Sequence, residues 1–329
     1  MALRVGILGA GAMGRTHAEV LARDPRARIA AVADADPVRA GSLAASLGAR
    51  SLPDLEALLR EGLDLLVVAT PNRFHAGAAR EALGRGVAVL CEKPMATSLA
   101  DARALCEAAA RPGAFLVVGH NRRHAPVYGR ARRLIDEGFT PLLVNMKMHE
   151  GNYRTPAWVS DRQVSGGFLY ENLVHFFDLL EWLLGPIAKV SCLARGPFYP
   201  DQNDFVVSLA FQGGAIAALT ATGHASWLYP SEKTELAGDH AAIVVEELDR
   251  VLHSPREGST ISIHDESRLP REERWGYVGQ DAEVIDALLA GRKPCFSPAR
   301  ALRTLEIADA CEAAAREGAS VRIGAPPSD

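Results

Sequence analysis

Six residues near the start, Gly9-Ala10-Gly11-Ala12-Met13-Gly14, constrain the fold of this chain more than any other segment. They follow an apolar run, LRVGIL at 3–8, and precede an Ala-rich amphipathic segment that ends near Arg23. A GxGxxG motif between a strand and a helix is typical of a dinucleotide-binding unit. The first glycine permits a tight turn, the second lets a pyrophosphate approach the backbone, and the third lets helix and strand pack closely. We therefore expect residues 9–14 to bind the cofactor phosphates at the helix start.

An acidic residue ends the next apolar run, IAAVAD at 29–34. Asp34 follows Gly14 by about twenty residues, which is where a dinucleotide fold places the carboxylate that binds the adenosine ribose. A carboxylate there repels a 2′-phosphate, and no arginine follows immediately, so the sequence favours NAD over NADP. The alternative is that Asp34 only opens a turn and caps the helix beginning near Pro37.

Strands and helices continue to alternate up to residue 119. Apolar strands at 63–70, 86–90 and 114–119 are separated by helical stretches at 54–60, 74–84 and 98–110, which predicts a parallel, doubly wound sheet, a Rossmann domain. Ligands of such sheets lie at the carboxyl ends of the strands. Polar residues at these ends are therefore predicted to contact the cofactor: Thr70, Asn72 and His75 after one strand, and Glu92 and Lys93 after the next.

The second half has a different pattern. A helix at 126–138, a strand at 142–150 and a helix at 166–185 precede strands at 203–212, 215–222, 233–238, 241–247 and 259–264. Two closing helices, at 279–290 and 298–317, carry Ala and Leu at helical spacing. We predict an α/β protein with a Rossmann domain at 1–122 and a second α/β domain at 123–329 with a large open, mostly antiparallel sheet. The closing helices, 279–317, could pack back on the first domain.

The segment 166–185, GGFLYENLVHFFDLLEWLLG, predicts one apolar helix that carries three titratable side chains. Glu171, His175 and Asp178 fall at spacing i, i+4, i+7 and so share one side of a helix. Charged groups in an apolar setting are costly unless they are paired or do chemistry. We expect Asp178 to pair with an arginine or the backbone.

Composition excludes several classes of function. The 329 residues are 48% apolar and 23% charged with net charge −4, as in ordinary globular proteins, and nothing favours nucleic acid or an anionic membrane as partner. Five widely spaced cysteines without a CxxC motif favour a reducing cytoplasm and predict no metal site. No apolar run is long enough to span a bilayer. An open sheet so apolar predicts a homodimer or homotetramer formed through it.

Several segments together resemble the Gfo/Idh/MocA oxidoreductase family. They are GILGAGAMG, TPNRFH, ALGRGVAVLCEKPMA, GHNRRHAP, SGGFLYENLVHFFD and ALLAGRKPCFSPARALRTLEIADA, in order along nearly the whole chain. The resemblance implies oxidation of a secondary alcohol of a sugar, cyclitol or sugar derivative, or the reverse reduction, with NAD or NADP. Lys93 matches the family lysine and His175 its histidine. Glu171 stands where the family usually has Asp, Leu173 where it often has Gly, and His124 where an aromatic is common.

The implied chemistry assigns roles to particular residues. Lys93 would hold the substrate oxygen and relay its proton, His175 would be the general base, and Glu171 would orient His175 or bind a second hydroxyl. Further substrate contacts are predicted for Arg123, Tyr153, Trp158 and Asn172. Tyr153 and Trp158 could equally pack against the domain seam, and Arg123 could equally form an interdomain salt bridge.

Two other functions remain open at this point. An NAD-dependent glycosidase would use transient oxidation to expel a leaving group, with no net change in NADH. A non-catalytic NAD-binding sensor or partner protein would bind NAD without turnover, and Glu171 in place of Asp is the feature that motivates it.

Overall fold

The computed structural model describes residues 2–151, 153–226, 231–258, 260–293 and 296–325. These residues form two compact units, one within 2–120 and 277–302 and the other within 121–276 and 303–325. Each unit has its own sheet, as the sequence predicts. Among helices in these ranges, none combines the length and the apolar composition that a bilayer crossing requires.

The first unit is built on a six-stranded parallel sheet with strand order β3-β2-β1-β4-β5-β6. Its strands are β1 (Leu3–Leu8), β2 (Ala27–Ala33), β3 (Arg50–Leu52), β4 (Leu65–Val68), β5 (Ala88–Glu92) and β6 (Leu116–Gly119). The helices between them are α1 (Ala12–Ala22), α2 (Pro37–Leu47), α3 (Leu55–Leu59), α4 (His75–Gly84) and α5 (Leu99–Ala109). The reversal of strand order beside β1 is the switch point at which doubly wound sheets bind dinucleotides.

The second unit contains a nine-stranded mixed sheet with strand order β14-β13-β12-β11-β7-β10-β9-β8-β15, in which only the β7–β10 pair among the described strands is parallel. Its strands are β7 (Leu143–His149), β8 (Ile187–Arg195), β9 (Asp204–Phe211), β10 (Ile216–Thr222), β11 (Glu232–Gly238), β12 (Ala241–Glu246), β13 (Arg250–Ser254), β14 (Ser262–Asp265) and β15 (Val321–Arg322). Its helices before α10 are α6 (Pro126–Asp136), α7 (Arg162–Ser165), α8 (Val174–Leu184) and α9 (Arg271–Arg274).

The two closing helices are α10 (Tyr277–Leu289) and α11 (Pro298–Glu317). Helix α10 belongs to the first unit, where Val284 and Ile285 join the core formed by β1, β2 and β4. Residues from Arg303 onward in α11 belong to the second unit. Cys91, Cys106, Cys192 and Cys311 carry free thiols, and Cys295 lies outside the described residues.

The sequence reading missed β3, β8, β15, α7 and α9, and it placed no strand at β13. Strand β8 is the largest of these, and its pairing with β9 shifts register between Ile187 and Lys189. The shift affects only the first residues, and what hides the strand is Leu193, which is apolar although it is 73% exposed, so apolar and polar residues do not alternate with burial. The two-residue β15 and the three-residue β3 are too short to show a period.

The segment 166–185 is not one continuous α-helix. Gly166 and Gly167 have φ values of +87° and +93°, a π-helical turn spans Leu169–Leu173, and α8 follows directly. Gly185, at φ +86°, ends the helix. Glu171 lies in the π-helical turn, so the α-helical spacing predicted between Glu171 and His175 does not apply. That spacing holds only from Val174 onward, between His175 and Asp178. Turns of π-helix inside helices are frequent at functional sites.

Candidate active site

The glycine turn between β1 and α1 has the shape that a bound dinucleotide needs. Gly9 has φ +99°, and a Cβ there would lie 2.4 Å from the Ala69 carbonyl oxygen. A Cβ on Gly14 would lie 1.8 Å from the Gly9 carbonyl oxygen, so both glycines are required by packing. A Cβ on Gly11 would meet nothing within 4 Å. Gly11 therefore leaves space beside the backbone, in the position that the fold reserves for a pyrophosphate.

Helix α1 begins at this space without a side-chain cap. Gly11 is its N-cap residue and makes no side-chain capping bond, and Ala12 and Met13 form the first turn. The first N–H groups of a helix have no partner within the helix and favour an anion. The residues present thus fit the phosphates of a dinucleotide cofactor.

Asp34 lies just beyond β2 and is held beside the glycine turn. Its two carboxylate oxygens accept hydrogen bonds from the Ala10 N–H, at 2.7 Å, and the Asp36 N–H, at 2.8 Å. Asp36, not Asp34, caps α2, because its carboxylate accepts from the Val38 and Arg39 N–H groups. The capping alternative for Asp34 is therefore wrong, although Asp34 does open the turn.

Sequence reasoning missed one arginine near Asp34. Arg39, on α2, has its guanidinium 3.5 Å from the Asp34 carboxylate and 3.1 Å from that of Asp36. Two carboxylates share this single cation, so the excess charge at the end of β2 is negative. That balance still opposes a 2′-phosphate.

His75 connects the loops that follow β4 and β5. Its Nε2 lies 2.7 Å from the Thr70 carbonyl oxygen and its Nδ1 lies 2.8 Å from the Pro94 carbonyl oxygen. The His75 ring is buried, as is Asn72. The ring therefore braces the two loops at the end of the sheet.

Strand β5 ends at Glu92, so Lys93 is the first residue beyond it. Lys93 is half-buried and is joined to Pro94 by a cis peptide bond. The Glu92 side chain is turned inward, where Oε1 lies 3.0 Å from His17 Nε2 and Oε2 accepts the Lys93 N–H at 3.0 Å. Glu92 thus lies behind the lysine, and its carboxylate binds protein groups.

In the second unit, three candidate residues occur within five positions. Glu171 and Asn172 lie in the π-helical turn and are half-buried, and His175, the second residue of α8, is buried. The apolar residues of the segment 166–185 are explained by packing. Those that are buried in α8 include Phe176, Phe177, Leu179, Leu180 and Leu183.

Asp178, one turn after His175, pairs with Arg123. Arg123 Nε donates to Asp178 Oδ2 at 2.7 Å and a second guanidinium nitrogen donates to Oδ1, so the contact is bidentate. Both side chains are largely buried. Asp178 therefore pairs with an arginine as expected. Arg123 forms a salt bridge with a residue of its own unit and not between the two units. Removal of either partner of such a buried pair leaves an uncompensated charge, so each residue needs the other.

Tyr153 is fully buried in an aromatic cluster of the second unit. Its ring lies edge-on to Phe168, with centroids 4.9 Å apart, and to Tyr199, at 5.4 Å. Tyr153 therefore packs within the second unit, and its ring has no exposed face on which a sugar could stack. Trp158, in a short 3-10 turn at 157–160, is half-buried.

Sequence reasoning also missed two residues of the first unit that contact each other in its interior. His17 lies on α1 and Asp281 on α10, and the His17 ring contacts both Asp281 and Glu92. Their distance along the chain hides the contact. Among the described residues, no group of three or more His, Cys, Asp or Glu side chains is arranged to hold a metal ion.

The fold and the first unit define a class: an NAD-binding enzyme with a separate second domain. Comparison with known proteins agrees. A family model described as "Oxidoreductase family, NAD-binding Rossmann fold" matches residues 3–120, and one described as "GFO/IDH/MocA C-terminal domain" matches residues 128–244. The chain belongs to the Gfo/Idh/MocA family and is an NAD-dependent oxidoreductase.

Individual relatives are similar over much of the chain. Inositol 2-dehydrogenase from Rhizobium meliloti (strain 1021) is 29% identical over 255 residues, which are 75% of this chain and 76% of that protein. Inositol 2-dehydrogenase from Leifsonia xyli subsp. xyli (strain CTCB07) is 34% identical over 61% of this chain, and the match spans 58% of the relative. Among solved structures, GenD2 from gentamicin A biosynthesis in complex with NAD has a TM-score of 0.87 and 28% identity, covering 98% of this chain and 97% of that one.

Proposed function

We propose that this enzyme transfers a hydride between NAD and a secondary alcohol or ketone of a cyclitol, sugar or sugar derivative. The observation that carries the proposal is the placement of Lys93. It is the first residue beyond β5, in the unit that carries the glycine turn, and Glu92 fixes its main chain from behind. The names of the relatives, inositol 2-dehydrogenase and an enzyme of gentamicin A biosynthesis, support a polyhydroxylated substrate.

Lys93 has the chemistry that alcohol oxidation requires. When bound, NAD supplies the hydride acceptor. The alcohol must lose its hydroxyl proton as the C–H bond breaks, and the oxygen becomes negative as it does so. An ammonium within hydrogen-bond reach stabilises that oxygen and passes its proton onward. We assign this role to Lys93.

His175 is assigned the role of general base. An imidazole titrates close to neutral pH and can accept the proton without a large change in its surroundings. Its neighbours Glu171 and Asn172 offer a carboxylate and an amide for other substrate hydroxyls, and both are half-buried. Trp158 is the aromatic residue that we retain for stacking on a sugar ring. We place Gly9, Gly11, Ala12, Met13, Gly14, Asp34, Thr70, Asn72, His75 and Glu92 in the cofactor site, with Glu92 and His75 acting by holding the loops.

The activity test uses purified protein, NAD and a panel of cyclitols, sugars and sugar acids, with absorbance read at the NADH band. Lys93→Met is expected to lower the rate by about a thousandfold, within the range for a positioned acid–base group, while NAD binding measured by calorimetry is unchanged. Lys189→Met, on an exposed position of β8, is the matched control and should keep the wild-type rate. A wild-type rate in Lys93→Met would remove this lysine from the mechanism.

The relatives give no support to the glycosidase or the sensor, because they are named as dehydrogenases or bind NAD in biosynthesis. Oligomerisation is a separate proposal: we infer that copies of the chain associate through the second sheet. Leu143, Leu193, Val206 and Ile216 point from one face of this sheet and are each at least half exposed. Apolar surface of this extent is commonly an interface.

A further inference from the structure

A buried cluster of charged groups lies behind Lys93 in the first unit, and the proposed reaction does not use it. His17 Nδ1 is 2.9 Å from both carboxylate oxygens of Asp281, and His17 Nε2 is 3.0 Å from Glu92 Oε1. The side chains of His17, Asp281 and Glu92 are 0%, 1% and 6% exposed. These three residues, called the His17 cluster below, come from α1, α10 and β5.

The His17 cluster contains one cation between two carboxylates. Burial alone would lower the pKa of His17, but the charges and hydrogen bonds of Asp281 and Glu92 outweigh it and raise that pKa to about 10. Burial would likewise raise the pKa of Glu92, but the hydrogen bond and charge of His17 lower it. The imidazolium therefore persists at neutral pH with both ring nitrogens donating.

Other groups facing the cluster do not replace these bonds. The ring of Tyr277, on α10, lies edge-on to His17 with centroids 5.7 Å apart, and Gln280 Nε2 lies 3.5 Å from Asp281 Oδ1. Lys93 and His75 add favourable charge at Glu92. The two carboxylates are the groups that hydrogen-bond the His17 ring among the described residues.

The cluster is linked to Lys93 by one hydrogen bond. Glu92 uses Oε1 for His17 and Oε2 for the main-chain N–H of Lys93, so the carboxylate bridges the cluster and the lysine. On the other side of Lys93, the Pro94 carbonyl oxygen is bound by His75. The main chain that carries the ammonium is therefore held by the Glu92 carboxylate on one side and by His75 on the other.

We propose that His17 and Asp281 are positioning residues: they orient the Glu92 carboxylate, which fixes the main chain of Lys93 and so the place where its ammonium meets the substrate oxygen. This rests on the role proposed for Lys93. A misplacement of about 1 Å in a reacting group costs roughly a hundredfold in rate. If the cluster acted only on stability, its removal would lower the melting temperature and leave the rate of the folded enzyme intact.

Asp281→Asn tests the inference, because it nearly preserves shape and removes one of the two charges that keep His17 protonated. We expect kcat to fall at least tenfold at pH 9 with NAD affinity within about threefold of wild type. The alkaline limb of the kcat profile should move to lower pH, since His17 loses a proton more easily without the Asp281 charge, and a neutral ring has one N–H and cannot donate to both residue 281 and Glu92. Val284→Ala, a buried position on the same helix, is the matched control. It should lower the melting temperature without moving the limb.

A second readout needs neither substrate nor cofactor. In NMR spectra of the cofactor-free protein with labelled histidine, we expect wild-type His17 to keep imidazolium shifts to about pH 10 and to lose them at lower pH in Asp281→Asn. The Lys93 amide resonance should change in the same pH range, because its bond to Glu92 then loosens. If Asp281→Asn does not fold, Asp281→Ser, which keeps a hydrogen-bonding oxygen without the charge, carries the same measurements.

The outcomes separate this inference from the proposed function. A wild-type enzyme that oxidises no polyol contradicts the proposed function, while a Lys93 amide that follows His17 titration still supports the positioning link. An amide indifferent to that titration, or a kcat profile in Asp281→Asn identical to that of Val284→Ala, overturns the positioning role.

Discussion

The two sheets of this protein bury their side chains in different ways. In β4, β5 and β6 every residue is buried, whereas β9 and β10 alternate between buried and exposed or half-exposed positions. Parallel strands covered on both faces read as continuous apolar runs, and sheets with one covered face read as alternation. The first sheet therefore offers a ligand only the ends of its strands, while the second presents a whole face.

The same difference determines where candidate groups lie. In the first unit, Asp34, Thr70 and Lys93 each follow a strand within two residues. In the second unit, Glu171 and His175 lie on a helical segment and not on a strand end. A fully covered parallel sheet concentrates chemistry at one edge, whereas a half-covered sheet leaves it to the helices packed on it.

Opposite faces of β10 give the largest expected effect on stability. Leu219 is fully buried and Ile216, three residues earlier, is 53% exposed. Leu219→Ala should lower the free energy of unfolding by about 2–5 kcal/mol, as for buried leucines, and Ile216→Ala by less than about 1 kcal/mol. Urea unfolding measures both. Equal costs at low protein concentration would contradict the one-faced sheet, and a cost for Ile216→Ala that grows with protein concentration would support association through that face.

Gly11→Ala tests whether the ends of the first sheet's strands bind the cofactor. The φ of Gly11, −71°, suits alanine and a Cβ there meets nothing, so Gly11→Ala should fold normally. The methyl group would occupy the space assigned to the pyrophosphate. NAD affinity should fall at least tenfold, or about 1.4 kcal/mol, measured by calorimetry. Gly41→Ala, on α2, adds a methyl group to equally open space and should leave the affinity unchanged. Equal affinities in the two variants would place the phosphates elsewhere.

The sequence was sufficient to predict the first unit apart from β3 because its signals are local. The glycine turn, the apolar runs and the acid after the second strand are each contained in a few residues, and the structure agrees on their order and type. The nine-stranded sheet was predicted in class, but β8 was missed because Leu193, an apolar residue, stands at an exposed position and obscures the alternation. The paired glycines at 166 and 167 marked a helix start, but nothing in the sequence indicated the π-helical turn that follows.

The spacing of apolar residues does not predict contacts between residues that are far apart in the sequence. Asp178 could be assigned a partner, either an arginine or the backbone, because an apolar helix leaves a buried carboxylate few alternatives. The His17 cluster had no comparable signal, since a histidine on an amphipathic helix and an aspartate near a closing helix look ordinary in isolation. Their meaning depends on the fold that brings α1, β5 and α10 together.

The smallest expected effect concerns Asp204, on β9 of the second sheet. It shows whether charge also stabilises the exposed face of that sheet. The Asp204 carboxylate accepts from Thr222 Oγ1 at 2.6 Å, His224 Nε2 at 2.7 Å and Arg195 Nε at 3.0 Å. Burial raises the pKa of Asp204, but these partners lower it below 3.8 overall. A carboxyl with a lowered folded pKa adds stability that is present above pH 3.8 and is lost as pH falls through the folded value. Asp204→Asn should therefore cost about 0.5–1 kcal/mol at pH 7, and the difference in urea midpoint should shrink toward pH 3. Glu257→Gln, at an exposed position, should match wild type at both pH values. A pH-independent cost for Asp204→Asn would mean that shape and neutral hydrogen bonds, and not the charge of Asp204, hold its partners on the exposed face of the second sheet. That face would then depend on charge no more than the apolar interior of the first sheet does.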